Sequence, residues 1–390
     1  MSALRATAII IFLFFSGYSA FGTGKIPLPE FTGLASSFGE YRGSRLHAGI
    51  DFRCGEREGV PVTAVHAGRI VRLRASRYGY GKNLYIQGSS GRIEVYAHLS
   101  SFENKSLQLE DLLAEARRTA GRRYPIDFML PEGRQPAVLA DQVIGFTGKT
   151  GSGGVHLHFE IRSDFVTAIN PVPFVAGIEK DHYAPVFKSL VFIPSTPGAL
   201  ANGLPLPLEV PLTAGPDGLY CAPSPVHLTE GSFRLLANIT DRGISPVNLM
   251  GAKSLFATID GRPFFMLDFN SFDLSESDFG IIYDTFRTDY KNYYYNLTLP
   301  DNCNHNGCID FSQDSLEFLS EPNRLVIMAS DFFENHATAE IFFSETRPDS
   351  ACFTGITEFC DRFLIVPDEF PRSGEGDFVQ GNGWQWLIPH

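Results

Sequence analysis

The feature that most constrains this chain is its punctuation. Between Lys25 and Gly177, short apolar runs alternate with glycine-bearing turns: VPVTAVHAGRIVRLRAS, NLYIQGSSGRIEVYAHL and VIGFTGKTGSGGVHLHFEIRS. Runs of strand length closed by turn residues read as strands and hairpins, and QGSSGR between NLYI and IEVYAHL is a natural hairpin turn. An antiparallel β domain follows. The 34 Phe and 14 Tyr against 5 Met agree, because aromatic side chains suit a half-buried pleated surface. One segment departs from the pattern. SLQLEDLLAEARRTAGRR carries Leu107, Leu109, Leu112, Leu113 and Ala116 with charges between them, which predicts a helix starting at Ser106 or the acids after it. The helix belongs to an insertion at about residues 103–140, placed either as a lid over a site or as a surface helix packed on the sheet.

The N-terminus, MSALRATAIIIFLFFSGYSAFGTGK, has Arg5 before an apolar run and small residues Ala20 and Gly22 after it. It reads as a signal peptide, residues 1–22, too short in its apolar part for a comfortable membrane span. The expectation is an exported chain, periplasmic or extracellular, with no stable membrane span after cleavage. Composition shifts at INPVPFVAGIEKDHYAPVF, where prolines and mixed charge mark a boundary. The expected division is a first domain at 23–180, a β domain at 181–345 and an irregular tail at 346–390. In the second part RLLANITD (Arg234 to Asp241) and RLVIMASD (Arg324 to Asp331) resemble each other, each an Arg-Leu, an apolar strand and an Asp opening a turn. Such runs predict an immunoglobulin-like β-sandwich. The chain as a whole is expected to be mainly β.

Charge is unevenly spread. From Thr23 to Lys180 there are 20 Lys and Arg against 16 Asp and Glu, and from Asp181 onward 11 against 28. The basic half could face an anionic polymer; no nucleic-acid partner is expected. Arg69, Arg72, Arg74, Arg77 and Lys82 cluster in one stretch, either as a solvated strand face or as a substrate-facing patch. Of the six cysteines, Cys303 with Cys308 and Cys352 with Cys360 are close enough in sequence for local disulfides in an oxidising compartment. Cys54 and Cys221 are left over, and Cys54 is expected to be a buried thiol.

The polar residues of the first part carry the chemistry. In GVHLHFEIRS, His156 and His158 lie two apart on a strand, so both rings and Glu160 share one face. Upstream, HAGIDF supplies His47 and Asp51 at a spacing that lets both reach one ion, on a loop running into a strand, and VYAHLS supplies His98. A catalytic zinc needs three protein ligands and an open position, and His47, Asp51 and His158 provide two nitrogens and an oxygen. His98 and His156 remain to move protons or stabilise an oxyanion. His66 has no polar neighbour at a useful spacing and reads as an ordinary strand-end residue. There is no H-E-x-x-H, no G-x-S-x-G and no Walker loop, and the glycines of GKTGSGG precede a strand and not a helix.

Taken in order, SSFGEYRG, HAGID, YAHL and GSGGVHLHFE resemble the motifs of the lysostaphin-type, LytM-domain zinc metallopeptidases, over about Phe38 to Arg162. The resemblance implies a small antiparallel β fold with a groove, one zinc ion, and cleavage of peptide cross-links in bacterial peptidoglycan. Carried over by motif, His47, Asp51 and His158 are zinc ligands and His98 and His156 the catalytic pair. Glu160 either orients a ligand imidazole or forms a plain salt bridge. The chain departs from the family in the long insertion between YAHL and the H-x-H strand, and in Val155 where a proline is common. An alternative reading is a catalytically silent regulator or binding protein of the cell envelope, its second domain engaging an envelope partner.

Overall fold

The computed structural model describes residues 24–345 except 44, 244–248, 276–280, 290, 300–308, 312–314 and 318–322, together with three strands beyond 345. The expected signal segment and the cysteine pairs at 303/308 and 352/360 lie outside the described residues.

The first part is built on a main antiparallel sheet, with a three-stranded sheet of Pro61–Thr63, Val143–Phe146 and Ser101–Phe102 beside it. The strands of the main sheet are β1 (Leu34–Ser36), β2 (Ile50–Arg53), β3 (Gly68–Ala75), β4 (Lys82–Gln87) and β5 (Ile93–Ala97). After the insertion, which holds α1 (Leu109–Ala120) and β6 (Ile126–Met129), come β7 (His156–Arg162) and β8 (Thr167–Ile169). The sheet runs β3, β4, β5, β7, β8, with the expected hairpin joining β4 to β5. β2 pairs with the first half of β7, and β1 lies outside β2. Leu157, Phe159 and Ile161 alternate along β7 into the apolar core with Phe52, Leu84 and Tyr96, which leaves His158 and Glu160 on the other face.

The insertion is docked on the far edge of this sheet. Strand β6 pairs with β3, and the Asp127 carboxylate accepts two hydrogen bonds from the Arg72 guanidinium, at 2.7 and 2.5 Å. Arg74 also reaches Asp127, at 3.3 Å, and Lys82 reaches Glu110 of α1 at 2.6 Å. Arg72, Arg74 and Lys82 of the basic stretch are therefore neutralised by acids of the insertion, while Arg69 and Arg77 are exposed. Leu109, Leu113 and Ala116 bury the inner face of α1, so the helix is packed against the sheet edge. Of the two expected starts, Ser106 or the acids after it, the helix takes the second, with Glu110 and Asp111 in its first turn.

The second part holds two sheets. One centres on β9 (Val186–Pro194) and β10 (Ser232–Thr240). The other contains β11 (Ser254–Ile259), β12 (Arg262–Asp268), β14 (Asn323–Ser330) and β15 (His336–Glu345). Between β12 and β14 in sequence lies β13 (Ser271–Asp273), which leaves both sheets. Phe192 of β9 meets Phe343 of β15 across the two sheets, ring centroids 5.7 Å apart. The two similar sequences become β10 and β14, one in each sheet, and each ends at its Asp.

The two parts share a sheet. Strand β13 pairs with β8, matching Ala168 with Phe272, and so extends the first sheet with residues from beyond the expected boundary. Phe272 stacks on Phe38 at 4.7 Å, and Tyr283 donates to the Gly39 carbonyl at 3.1 Å. Gly39 has φ +77, and a Cβ there would lie 2.6 Å from the Phe269 ring, so this junction needs glycine twice over.

The tail corrects the sequence reading. Leu364–Val366, Gly376–Gly381 and Trp384–Pro389 form a three-stranded antiparallel sheet, with Gly381 opposite Trp384.

Candidate metal centre

Strand register brings the site together. In the pairing of β7 with β2, His158 lies opposite Asp51, and on its other side it lies opposite Ala97, the residue before His98. Directly opposed residues project to one face, so Asp51 and His158 meet without any contribution from loops. His47 arrives from the loop before β2, held by its N–H donating to the Glu40 carbonyl at 2.7 Å and its carbonyl accepting from Gly39 at 2.8 Å. Gly49 lets this loop cross β7 closely, since a Cβ there would sit 2.2 Å from the Phe159 oxygen.

Three donor atoms converge. His47 Nε2 is 3.1 Å from Asp51 Oδ1 and 2.9 Å from His158 Nδ1, and the latter two atoms are 2.9 Å apart. The outer nitrogens are already committed: His47 Nδ1–H donates to the Ser37 carbonyl at 2.6 Å, and His158 Nε2–H donates to Glu160 Oε1 at 2.7 Å. With those protons outside, the inward atoms are lone pairs. Three lone pairs so close repel unless a proton or a cation lies among them, and two imidazole nitrogens with a carboxylate oxygen are a zinc-type donor set. The residues present therefore fit a zinc ion.

The surroundings favour charge separation. Burial pushes Asp51 up, but His47 and His158 outweigh it and hold the carboxyl well below its usual range. Burial likewise opposes charge on His158, yet its bonds to Asp51 and Glu160 raise it to about 9, so that without a cation it is the proton on Nδ1 that lies among the three atoms, and a metal would take that proton's place. Glu160 is fully buried; burial is overcome by Arg162 and His158, and its pKa falls to about 2. Arg162 Nε donates to Glu160 Oε2 at 2.6 Å, and Tyr80 also donates to Glu160. The carboxylate thus orients His158 and forms a salt bridge at once. Arg42 adds a cation 3.3 Å from Asp51 Oδ2.

His98 and His156 stand beside the three donors, ring centroids 4.5 Å apart. His98 has φ 63, an uncommon conformation for a side-chain-bearing residue, fixed by its N–H donating to Tyr80 and by Nδ1–H donating to Thr150 O at 3.0 Å. His156 Nδ1–H donates to Gly154 O at 3.1 Å, and its Nε2 lies 3.8 Å from Asp51 Oδ1. In both rings the basic atom is Nε2. Burial, then His158 and His156, lowers His98 to about 3, and burial also lowers His156. Both are neutral near pH 7.

All five residues line a groove of about 680 Å³. Its walls include Arg42 and Arg45 on one side and Phe272, Leu274 and Ser275 from the second part, but no residue of the insertion. Sequence reasoning missed Arg42, Tyr80 and Arg162. It also left His66 without a partner, whereas His66 Nδ1 lies 2.5 Å from Glu94 Oε1. Cys54 is buried and free, outside the donor cluster, as expected.

Residues 45–120 match the model of Peptidase family M23. Among characterised relatives, the chain is 32% identical over 129 residues to the DD-carboxypeptidase/endopeptidase Mpg of Neisseria meningitidis serogroup B (strain ATCC 13091 / M2091). The Neisseria gonorrhoeae (strain ATCC 700825 / FA 1090) protein of that name gives the same identity, each match covering 33% of this chain and 22% of the relative. The chain thus spans about a fifth of the length of the curated relatives it matches. The catalytic domain of the antimicrobial peptidase lysostaphin from Staphylococcus simulans is 28% identical, covering 37% of this chain and 91% of that one, with a TM-score of 0.28.

Proposed function

We propose that this protein is an exported zinc metalloendopeptidase that hydrolyses peptide cross-links of bacterial peptidoglycan. The observation that carries the reading is the meeting of His47 Nε2, Asp51 Oδ1 and His158 Nδ1 within 3.1 Å of one another, at a groove flanked by two neutral histidines. The Neisseria relatives, named for carboxypeptidase and endopeptidase activity, support the substrate class.

A zinc ion held by these three residues would lower the pKa of a bound water towards about 7 and polarise the scissile carbonyl. The remaining work falls to the chain. Glu160, pinned by Arg162, keeps the His158 tautomer that turns Nδ1 inward. His98 and His156, each anchored through Nδ1–H to a backbone carbonyl, present Nε2 as the atom that takes a proton or, once protonated, donates to a developing oxyanion. Arg42 and Arg45 place positive charge at the groove wall, where a peptide carboxylate could be held.

The test is digestion of purified sacculi by the mature protein with one equivalent of zinc, released muropeptides being read by mass spectrometry. Zinc-dependent loss of cross-linked dimers that disappears in His158→Ala is expected. Full zinc loading without cleavage, together with an unchanged envelope phenotype in His98→Ala and His156→Ala, would replace the enzyme with a regulator.

A further inference from the structure

We propose that Asp181, Asp241 and Asp331 form a second cation site, remote in sequence from the histidine site, that takes a hard divalent cation of the calcium type. Each carboxylate offers an oxygen within 4.8 Å of the other two. All three are buried, at 3%, 1% and 1% exposure. Among the described residues none of them is in an ion pair with Lys or Arg. Arg242, next to Asp241, is engaged over the Tyr183 ring at 4.0 Å, and His182, next to Asp181, is exposed.

Two of the oxygens have nowhere to go. Asp181 Oδ2 and Asp241 Oδ1 are sealed from solvent with no hydrogen-bond partner. Asp331 and Asp181 Oδ1 accept bonds from outside the cluster. Asn335 Nδ2 donates to Asp331 Oδ2 at 2.7 Å and to Asp181 Oδ1 at 3.1 Å; the Phe333 and Asn335 N–H groups donate to Asp331 Oδ1, both at 2.8 Å. A scaffold that fixes three carboxylates while leaving oxygens bare is a coordination shell awaiting its ion, because isolated buried charges of one sign are costly.

The donor set chooses the metal class. Oxygens alone, with no nitrogen or sulfur, suit calcium or magnesium and disfavour zinc, and calcium tolerates irregular cages of mixed carboxylates and carbonyls where magnesium demands an octahedron. The placement says what binding does. Asp241 and Asp331 end β10 and β14, the two similar strands of the two sheets, and Asp181 lies in the segment leading from the first part to β9. One ion would tie both sheets to that connector.

The test takes the full chain, loaded with one equivalent of zinc so that the histidine site is closed, and titrates calcium chloride by calorimetry and thermal unfolding. Expected are one calcium site and a melting temperature that rises with calcium and falls back with a calcium chelator. The same result is expected in His158→Ala, which separates this site from the first. Asp241→Asn should bind calcium more than about tenfold more weakly, yet melt no lower than wild type without calcium, since it keeps the side chain's shape while taking a carboxyl out of a cluster of like groups. No calcium heat and no thermal shift in wild type overturns the site, as does an undiminished response in a folded Asp241→Asn. A response to magnesium alone overturns the calcium-type assignment.

Discussion

Glu160 has no solvent to share its charge with, so its two oxygens are divided between His158 Nε2 at 2.7 Å and Arg162 Nε at 2.6 Å. Replacing it with Gln keeps the shape but weakens the acceptor that fixes the His158 tautomer. Zinc affinity should fall about 10- to 100-fold in Glu160→Gln, measured by competition with a chromophoric chelator. Unchanged affinity would remove Glu160 from the orienting role. At this scale the sequence was readable where donor chemistry restricts residue type: His47, Asp51, His98, His156 and His158 could be picked out by spacing, and the structure brings all five to one groove. Arg42, Tyr80 and Arg162 could not, because nothing in an arginine or tyrosine letter says which carboxylate it will meet. His66 and Glu94 failed for a similar reason, their contact being made across strands and not along one.

At the scale of elements, the start of α1 shows what local pattern omits. The leucine spacing gave the helix, but Gln108 sits at φ 55, so the chain turns back and Ser106 does not cap. Asn104 Oδ1 instead accepts from the N–H groups of Glu110 and Asp111 at 3.0 and 3.2 Å. The Glu103 carboxylate accepts from Lys105, Ser106 and Leu107, the shortest at 2.7 Å. Burial alone would raise Glu103, but these backbone donors win and lower it. A lowered native pKa gives stability that is complete above the ordinary value of 4.5 and is lost as pH falls through the native one. Glu103→Ala should therefore cost about 1–3 kcal/mol at pH 7, read from denaturant midpoints. Glu103→Gln should show a shallower loss of stability than wild type as pH falls below the ordinary value of 4.5. Parallel acid profiles would mean that the carboxylate charge does not hold this turn.

For the whole molecule, the deciding fact is that the groove is not finished by its own part of the chain. Strand β13 extends the sheet that carries the histidines, Phe272 covers Phe38, and Leu274 and Ser275 reach the groove wall. None of this was legible in the sequence, because strand addition between distant segments leaves no periodic signal; the proline-rich boundary near 180 pointed to separation and the pairing of β8 with β13 crosses it. Two consequences can be measured. A chain ending at about residue 180 would expose the Phe38 and Gly39 surface, so it should melt lower than the full protein and bind an apolar dye. Within the full chain, Leu274→Ala touches no metal donor and only half-buried packing, so zinc affinity should stay within about twofold of wild type. If cross-linked peptides lie against this wall, its loss weakens ground-state and transition-state binding alike, and KM should rise about 5- to 20-fold with kcat little changed. A fall in kcat at constant KM would instead mean that the second part acts on the geometry of the histidines, through β8 and β7, and not on the peptide in the groove.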